Sequence, residues 1–436
     1  MGSLAPSAPL TRLCARRIAQ IANNPLEPRL KEKATLAILD YLSSVSAGLQ
    51  APWAGDVAKY ASARESGPCF TFANKKNVTA ESAAFCNALL AHSAIRDDMH
   101  LPSNSHIGSM VISAALAIAQ RDGVSGEGLL KAVVAGYEMS ALLGTAFQQT
   151  QGYNRHIRPS GSCGAFGSAA AALVTNFDKV NEDVATNALA FAANMASGFN
   201  QWAWTGGVEI YTEMGTAAQS GIIAYDVAKA GLQCSEDVLE GKAGYFAAYS
   251  VGSKAEKLFT EWLDSEIGRG IMEVTMKPVP GCNYAQTPIA AGMKASKPYQ
   301  EKKQQNPELK IEEIVVRSTS AAKNYPGCDN PAKKFETVQQ TKMSIQYGVS
   351  AMLLRVRSGM KAERRQPARV ELKLSDGSTI TEELNDVPWV NASGIKARFQ
   401  TEMESLAKNS NPEELLKVLQ NLEKQTDAGQ LMAHFQ

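Results

Sequence analysis

At 436 residues the chain exceeds what one hydrophobic core usually organises, so two domains are the first expectation. Its 44 Lys and Arg nearly cancel its 43 Asp and Glu, leaving a net charge of +1, which argues against a nucleic-acid or anionic-membrane surface, since both need clustered positive charge. The seven cysteines show no CxxC spacing and cannot all pair, so neither a disulfide framework nor a zinc site is expected.

Met1–Pro9 lack the charged and apolar halves of a signal peptide, and apolar runs such as Met110–Ala119 fall short of the roughly 20 residues of a membrane span. The reading is a cytoplasmic protein with a small-molecule ligand, no nucleic acid and no membrane. From Leu10 to about Leu263 apolar residues recur at helical spacing, which predicts an all-α domain. Its Ala-rich helices, Val111–Gln120, Gly126–Phe147, Ala165–Phe177, Asp183–Ser197 and Ala217–Ala230, carry small residues on several faces and are expected to pack closely. Asn181 with Glu182 reads as a helix start, and Gly198 and Gly231 as helix ends. After about Ser265 the texture changes. Ile271–Lys277 and Ile311–Ser318 read as strands, Arg369–Leu374 and Ser378–Leu384 flank an Asp376-Gly377 turn, and Gln286–Ser296 and Ser344–Ser358 read as helices. Lys302–Lys310 reads as an exposed loop, and Ser393–Phe435 as an amphipathic helical return to the first domain.

Three stretches could carry chemistry. Asp97-Asp98-Met99-His100 and Ser105-His106-Ile107-Gly108-Ser109 place acids and histidines at a helix entry, suited to holding a carboxylate or passing a proton; such a loop could equally be tied by its own Asp and Ser side chains. Asn154-Arg155-His156-Ile157-Arg158-Pro159-Ser160-Gly161-Ser162-Cys163-Gly164 is basic and Gly-rich, fit for anion capture or simply for close helix packing. Lys277-Pro278-Val279-Pro280-Gly281-Cys282 sits where two domains would meet, although a lysine there is more often a solvated charge.

In order, and together with Gly136-Tyr137-Glu138, Val238–Tyr245, Met276-Lys277-Pro278 and Thr341–Tyr347, these segments resemble the MmgE/PrpD family, which includes 2-methylcitrate dehydratase and cis-aconitate decarboxylase. The resemblance implies a mainly α protein: a helical domain, 1–267 and 396–436, plus a smaller α+β lid, 268–395. It also implies a homodimer, no cofactor, no metal and a cleft between domain and lid. His106 and Lys277 match catalytic positions of the family. Elsewhere the pattern breaks. Ile95 stands where Asp is frequent, Met99 where Thr or Tyr is frequent, and Arg158 replaces the His of a His-Pro-Thr-Gly pattern; Lys and His of a Lys-x-Leu-His-x-Gly pattern fall near Ile210 and Glu213.

Losing an Asp and a Lys together is self-consistent, because losing one alone would strand its partner. It also removes the charge complement of a tricarboxylate. With Trp202, Trp204 and Tyr211 flanking the segment, the cleft reads as apolar and aromatic, unless these tryptophans are ordinary core. The resulting expectation is a cyclase or isomerase similar to a terpenoid-cyclising branch of this scaffold. It would promote an intramolecular [4+2] reaction by confinement, with His106, Lys277 and Arg158 as hydrogen-bond donors and Ile95, Asp98, Met99, His156, Trp202, Trp204, Ile210 and Tyr211 as substrate contacts. The alternatives are an alkylcitrate dehydratase or cis-aconitate decarboxylase-like lyase, and a non-catalytic binding protein.

Overall fold

The computed structural model describes residues 8–149, 156–175, 181–330, 335–353, 366–407 and 409–436. It is mainly α, with short sheets and a smaller α+β portion, as read from the sequence. The chain divides into two compact units. One comprises Met1–Phe199, Glu209–Thr275 and Ala392–Gln436; the other comprises Asn200–Val208 and Met276–Asn391.

The first unit opens with α1 (Leu10–Asn23), α2 (Pro28–Gly48) and α3 (Ala54–Ser62), a hairpin of β1 (Cys69–Thr71) and β2 (Lys76–Val78), and then α4 (Ala80–Ser93). After β3 (Met99–His100) come α5 (Gly108–Asp122), α6 (Gly126–Phe147), α7 (Pro159–Thr175) and α8 (Glu182–Asn194). Next are α9 (Trp202–Thr205), which belongs to the second unit, α10 (Glu209–Lys229), α11 (Tyr245–Ala248), α12 (Lys254–Leu263), α13 (Arg269–Met272) and β4 (Val274–Thr275). The expected all-α domain therefore holds small sheets: β1 with β2, and β3 antiparallel to β4.

Local chemistry sets these boundaries. Side-chain oxygens of Thr79, Ser125 and Asn181 accept the N–H groups of Ser82, Gly128 and Val184 and so start α4, α6 and α8. Gly123, at φ +67°, ends α5 in the left-handed region. Pro159 takes the first position of α7, where its missing N–H costs nothing, so this helix begins well before Ala165; its expected continuation to Phe177 lies outside the described residues. Instead of one strand over Ile271–Lys277, the chain makes the turn α13 and the two-residue β4. Buried Glu138 captures the Gly270 N–H at 3.1 Å, holding that segment helical.

The core is built on α7, which packs against α5, α6, α8 and α10 and is buried over nearly its whole length. Glycines permit this approach: a Cβ on Gly167 would stand 2.6 Å from the Gly136 carbonyl oxygen of α6. α6 is long and apolar enough to cross a membrane by length and composition, but it is a core helix here, 89% buried over its most apolar window. Glu138 on α6 also accepts from Arg17 at 2.9 Å and from the Trp262 indole at 3.2 Å, tying α1, α12 and α13 to the core.

In the second unit α14 (Gln286–Gln305) packs on an antiparallel sheet of order β5–β6–β7. These strands are β5 (Ile311–Arg317), β6 (Ala368–Leu374) and β7 (Thr379–Leu384), the last two joined through Gly377 at φ +79° as the Asp-Gly signal predicts. Ala368, Val370, Leu372 and Leu374 alternate inward along β6. The unit also holds α15 (Ser320–Asn324), α16 (Val338–Met343) and α17 (Ile345–Leu353). Lys302–Gln305, expected as loop, form the last turn of α14; the helix expected to Ser358 is described only to Leu353. Back in the first unit, α18 (Ala392–Leu406) packs on α2, with Arg398 paired to buried Asp40, and α19 (Pro412–Gln420) follows.

Candidate functional site

The acid- and histidine-rich segment folds into a buried polar cluster inside the first unit. His92 lies in the last turn of α4, and the chain then reverses sharply through Ile95, a β-branched residue at φ +49°. That reversal brings Asp97 back onto the helix end, with its carboxylate oxygens 2.8 and 3.0 Å from His92 Nδ1. Ser109, in the first turn of α5, donates to the same carboxylate at 2.6 Å.

Arg158, just ahead of α7, approaches His92 from the other side, with one guanidinium nitrogen 2.6 Å from Nε2. A guanidinium can only donate, so Nε2 accepts and the His92 proton sits on Nδ1, directed at Asp97. Arg158 also donates to the Ile210 carbonyl and, at 3.2 Å, to Glu213, both on α10. Arg158 is 4% exposed and Glu213 10% exposed, so this is a buried pair. Burial outweighs Arg158 at Glu213 and raises its pKa to about 7.

His106 packs against His92 with ring centres 4.7 Å apart and keeps 12% side-chain exposure. Its Nδ1 lies 2.7 Å from the Asp98 carbonyl oxygen, which can only accept; Nδ1 therefore carries a proton, and in the neutral ring Nε2 bears the lone pair. Asp97 Oδ1 stands 3.7 Å from the same Nδ1, so a positive charge on this imidazole would lie beside a carboxylate. Tyr211 of α10 lies against His92, with centroids 5.8 Å apart, and stacks on Trp53 at 4.7 Å.

Asp98 has a different occupation. It accepts the Gly108 N–H at the start of α5 and the Tyr137 hydroxyl, and burial raises its pKa to about 7. Met99 is buried in β3, where its carbonyl accepts from Thr275. His100, also buried in β3, is held at Nδ1 by Ser103 and stands 3.5 Å from Glu273 through Nε2.

His92, Asp97 and His106 bring ligand-type atoms within 4.8 Å of one another. The set does not suit a cation. Both His92 nitrogens are engaged, one of them by a guanidinium, and His106 Nδ1 is engaged by a carbonyl.

The profile of the MmgE/PrpD N-terminal domain matches residues 12–258. The chain belongs to the MmgE/PrpD family. Similar curated proteins include a cis-aconitate decarboxylase of Aspergillus terreus (strain NIH 2624 / FGSC A1156), 23% identical over an alignment of 355 positions, gaps included, that covers 77% of this chain and 70% of that one. Another cis-aconitate decarboxylase of Aspergillus terreus is 22% identical over an alignment of 469 positions, gaps included, that covers 95% of this chain and 93% of that one.

Of the residues singled out in this MmgE/PrpD chain, His106, Arg158, Ile210 and Tyr211 meet around His92 and Asp97, Ile210 through its backbone carbonyl. Ile95 shapes the turn that supplies Asp97. His156 is exposed in a turn, and Asn154 and Arg155 lie outside the described residues. Lys277, Trp202 and Trp204 lie in the second unit. There Lys277 is buried and donates to the Gly281 carbonyl at 3.2 Å, Trp202 is buried, and Trp204 is 62% exposed.

Sequence reasoning passed over His92 and Trp53, and it noted Ser109 and Glu213 without their partners. A usable signal existed for the first, since His92, His100 and His106 are three of only five histidines. For Glu213 the signal was charge: an acid and an arginine both stand where the family pattern has histidine.

Proposed function

We propose that this MmgE/PrpD chain is a cofactor-independent enzyme of specialised metabolism that promotes an intramolecular [4+2] cyclisation of a mainly apolar, terpenoid-like substrate. The observation that carries the reading is Arg158. Its guanidinium is satisfied within the protein by His92, the Ile210 carbonyl and Glu213, so the permanent cation of the cluster is not held ready for a substrate carboxylate. A [4+2] closure makes two carbon–carbon σ bonds from π electrons and transfers no proton, so it needs confinement more than a base. The imidazolium form of His106 would donate Nε2–H to a carbonyl conjugated with the dienophile, as electron density builds on that oxygen. Buried Tyr211, stacked on Trp53, makes the surroundings of His92 aromatic. A homodimer in the cytoplasm belongs to the same proposal, and light scattering of the purified chain checks the dimer.

The test is cyclisation of a diene–enal diterpenoid with purified protein in D2O. The proposal expects acceleration over buffer and no carbon-bound deuterium in the product. Absence of acceleration overturns it.

A second reading, a lyase acting on a carboxylated substrate, draws on the names of the relatives and on the lone pair of neutral His106, which could accept a proton. Release of CO2 from cis-aconitate, or dehydration of an alkylcitrate, would establish it.

A further inference from the structure

The second unit holds a pair of thiols that the proposed chemistry does not use. Cys282 and Cys328 are unbonded, yet their sulfur atoms stand 3.2 Å apart. A disulfide needs about 2 Å, so closure requires side-chain adjustment of roughly one ångström. Both cysteines sit in firmly tied loops. The Cys282 N–H donates to the Lys342 carbonyl at 2.9 Å, and its own carbonyl accepts from Ala285 and from the Gln286 amide. The Cys328 N–H donates to the Tyr325 carbonyl at 3.1 Å, while its carbonyl accepts from Ile345 at 2.9 Å.

The two sulfurs are not equivalent. Lys277 reaches back to the Gly281 carbonyl at 3.2 Å, which places its ammonium on the Cys282 loop. Burial raises the Cys282 thiol, but the hydrogen bond from Cys328 and the Lys277 charge outweigh it, so the net direction is down. Cys328, buried and facing the Cys282 sulfur and Asp329, moves up. Cys282 also keeps 4% exposure against 0% for Cys328.

We propose that Cys282 and Cys328 form a reversible two-thiol modification site for small peroxides, with Cys282 as the attacking sulfur and Cys328 as the resolving one. The Cys282 thiolate attacks one peroxide oxygen, breaking the O–O bond to give a sulfenic acid and hydroxide, which takes up a proton to become water. The Cys328 thiol then attacks that sulfur and displaces the sulfenic oxygen as a second water. In sum, two thiols and one H2O2 give one disulfide and two waters, the sulfurs losing the two electrons that the peroxide gains. The bond would join the Lys277–Cys282 loop to the segment that follows α15.

The test treats the full-length native chain with hydrogen peroxide, alkylates it under denaturing conditions and maps its peptides by mass spectrometry. The proposal expects a Cys282–Cys328 cross-linked peptide that dithiothreitol reverses, formed while buried Cys14, Cys69 and Cys86 are still thiols. In Cys328→Ser, dimedone should trap Cys282 as its sulfenic acid, and Lys277→Met should slow the cross-link several-fold. Oxidation confined to the more exposed Cys234, with Cys282 and Cys328 both recovered as thiols, overturns the proposal.

Discussion

Arg158 meets His92 through an N–H···N contact of 2.6 Å, and that contact decides which His92 nitrogen carries the proton. It also couples two distant parts of the chain, since Asp97 on one side of the imidazole and Glu213 beyond the guanidinium answer each other across the cluster. The unit of the site is thus a relay of four side chains, not one base.

Removing Arg158 alone should be costly. Arg158→Met leaves the buried Glu213 carboxyl without its cation and should destabilise the fold by about 3–5 kcal/mol in urea denaturation at about pH 9, above the folded pKa of about 7 that this carboxyl has beside Arg158. The double variant Arg158→Met with Glu213→Gln should recover a large part of that loss, because no charge is left stranded. Additive losses would show that the pair is not coupled.

Asp98 and Glu213 make a pH signature. Each has a folded pKa raised by burial to about 7, from ordinary values of 3.8 and 4.5. Between those limits the folded chain binds more protons than the unfolded chain, so their contribution is greatest below the ordinary values and declines as pH rises toward 7. Asp98→Asn cannot lose its proton. The stability of the wild type relative to Asp98→Asn should therefore fall by on the order of 3 kcal/mol between pH 4 and 7. A difference independent of pH would contradict the assignment.

The strained turn at Ile95 reverses a usual ranking. Truncation to Ala removes buried side-chain atoms and keeps a left-handed backbone that Ala dislikes; Gly removes the same packing and relieves the strain. Both variants should lose stability, with Ile95→Gly about 1 kcal/mol more stable than Ile95→Ala. The comparison is read from paired denaturation curves.

Much of the fold was legible because its signals are local. α6 begins after a Ser125 cap and runs to Phe147 as read, and the Asp376-Gly377 hairpin lies where the turn chemistry puts it. Two-residue strands such as β3 and β4 have no alternation to read, and they exist because each finds the other across the first unit. The site was legible in its anchors, His106 and Arg158, and opaque in its wiring. His92 and Arg158 are 66 positions apart in sequence, and only the packing of α4 and α7 on the same neighbours, α5 and α10, brings them together. The charge exchange at Arg158 and Glu213 was visible as two departures from the family pattern; that they answer one another is a tertiary fact.

His106 separates donor from base. His106→Ala should slow cyclisation about a hundredfold, the typical loss for one donor to a developing oxyanion. His106→Gln, which keeps an N–H donor, should restore much of the rate. Failure of Gln to recover activity would favour proton transfer instead.

The central claim is that the cation of this cluster is already spent within the protein. Titration calorimetry of the purified chain with cis-aconitate near pH 7 tests it most directly. No saturable binding is expected up to millimolar ligand. Saturable binding that Arg158→Met abolishes, while the variant stays folded, would contradict it.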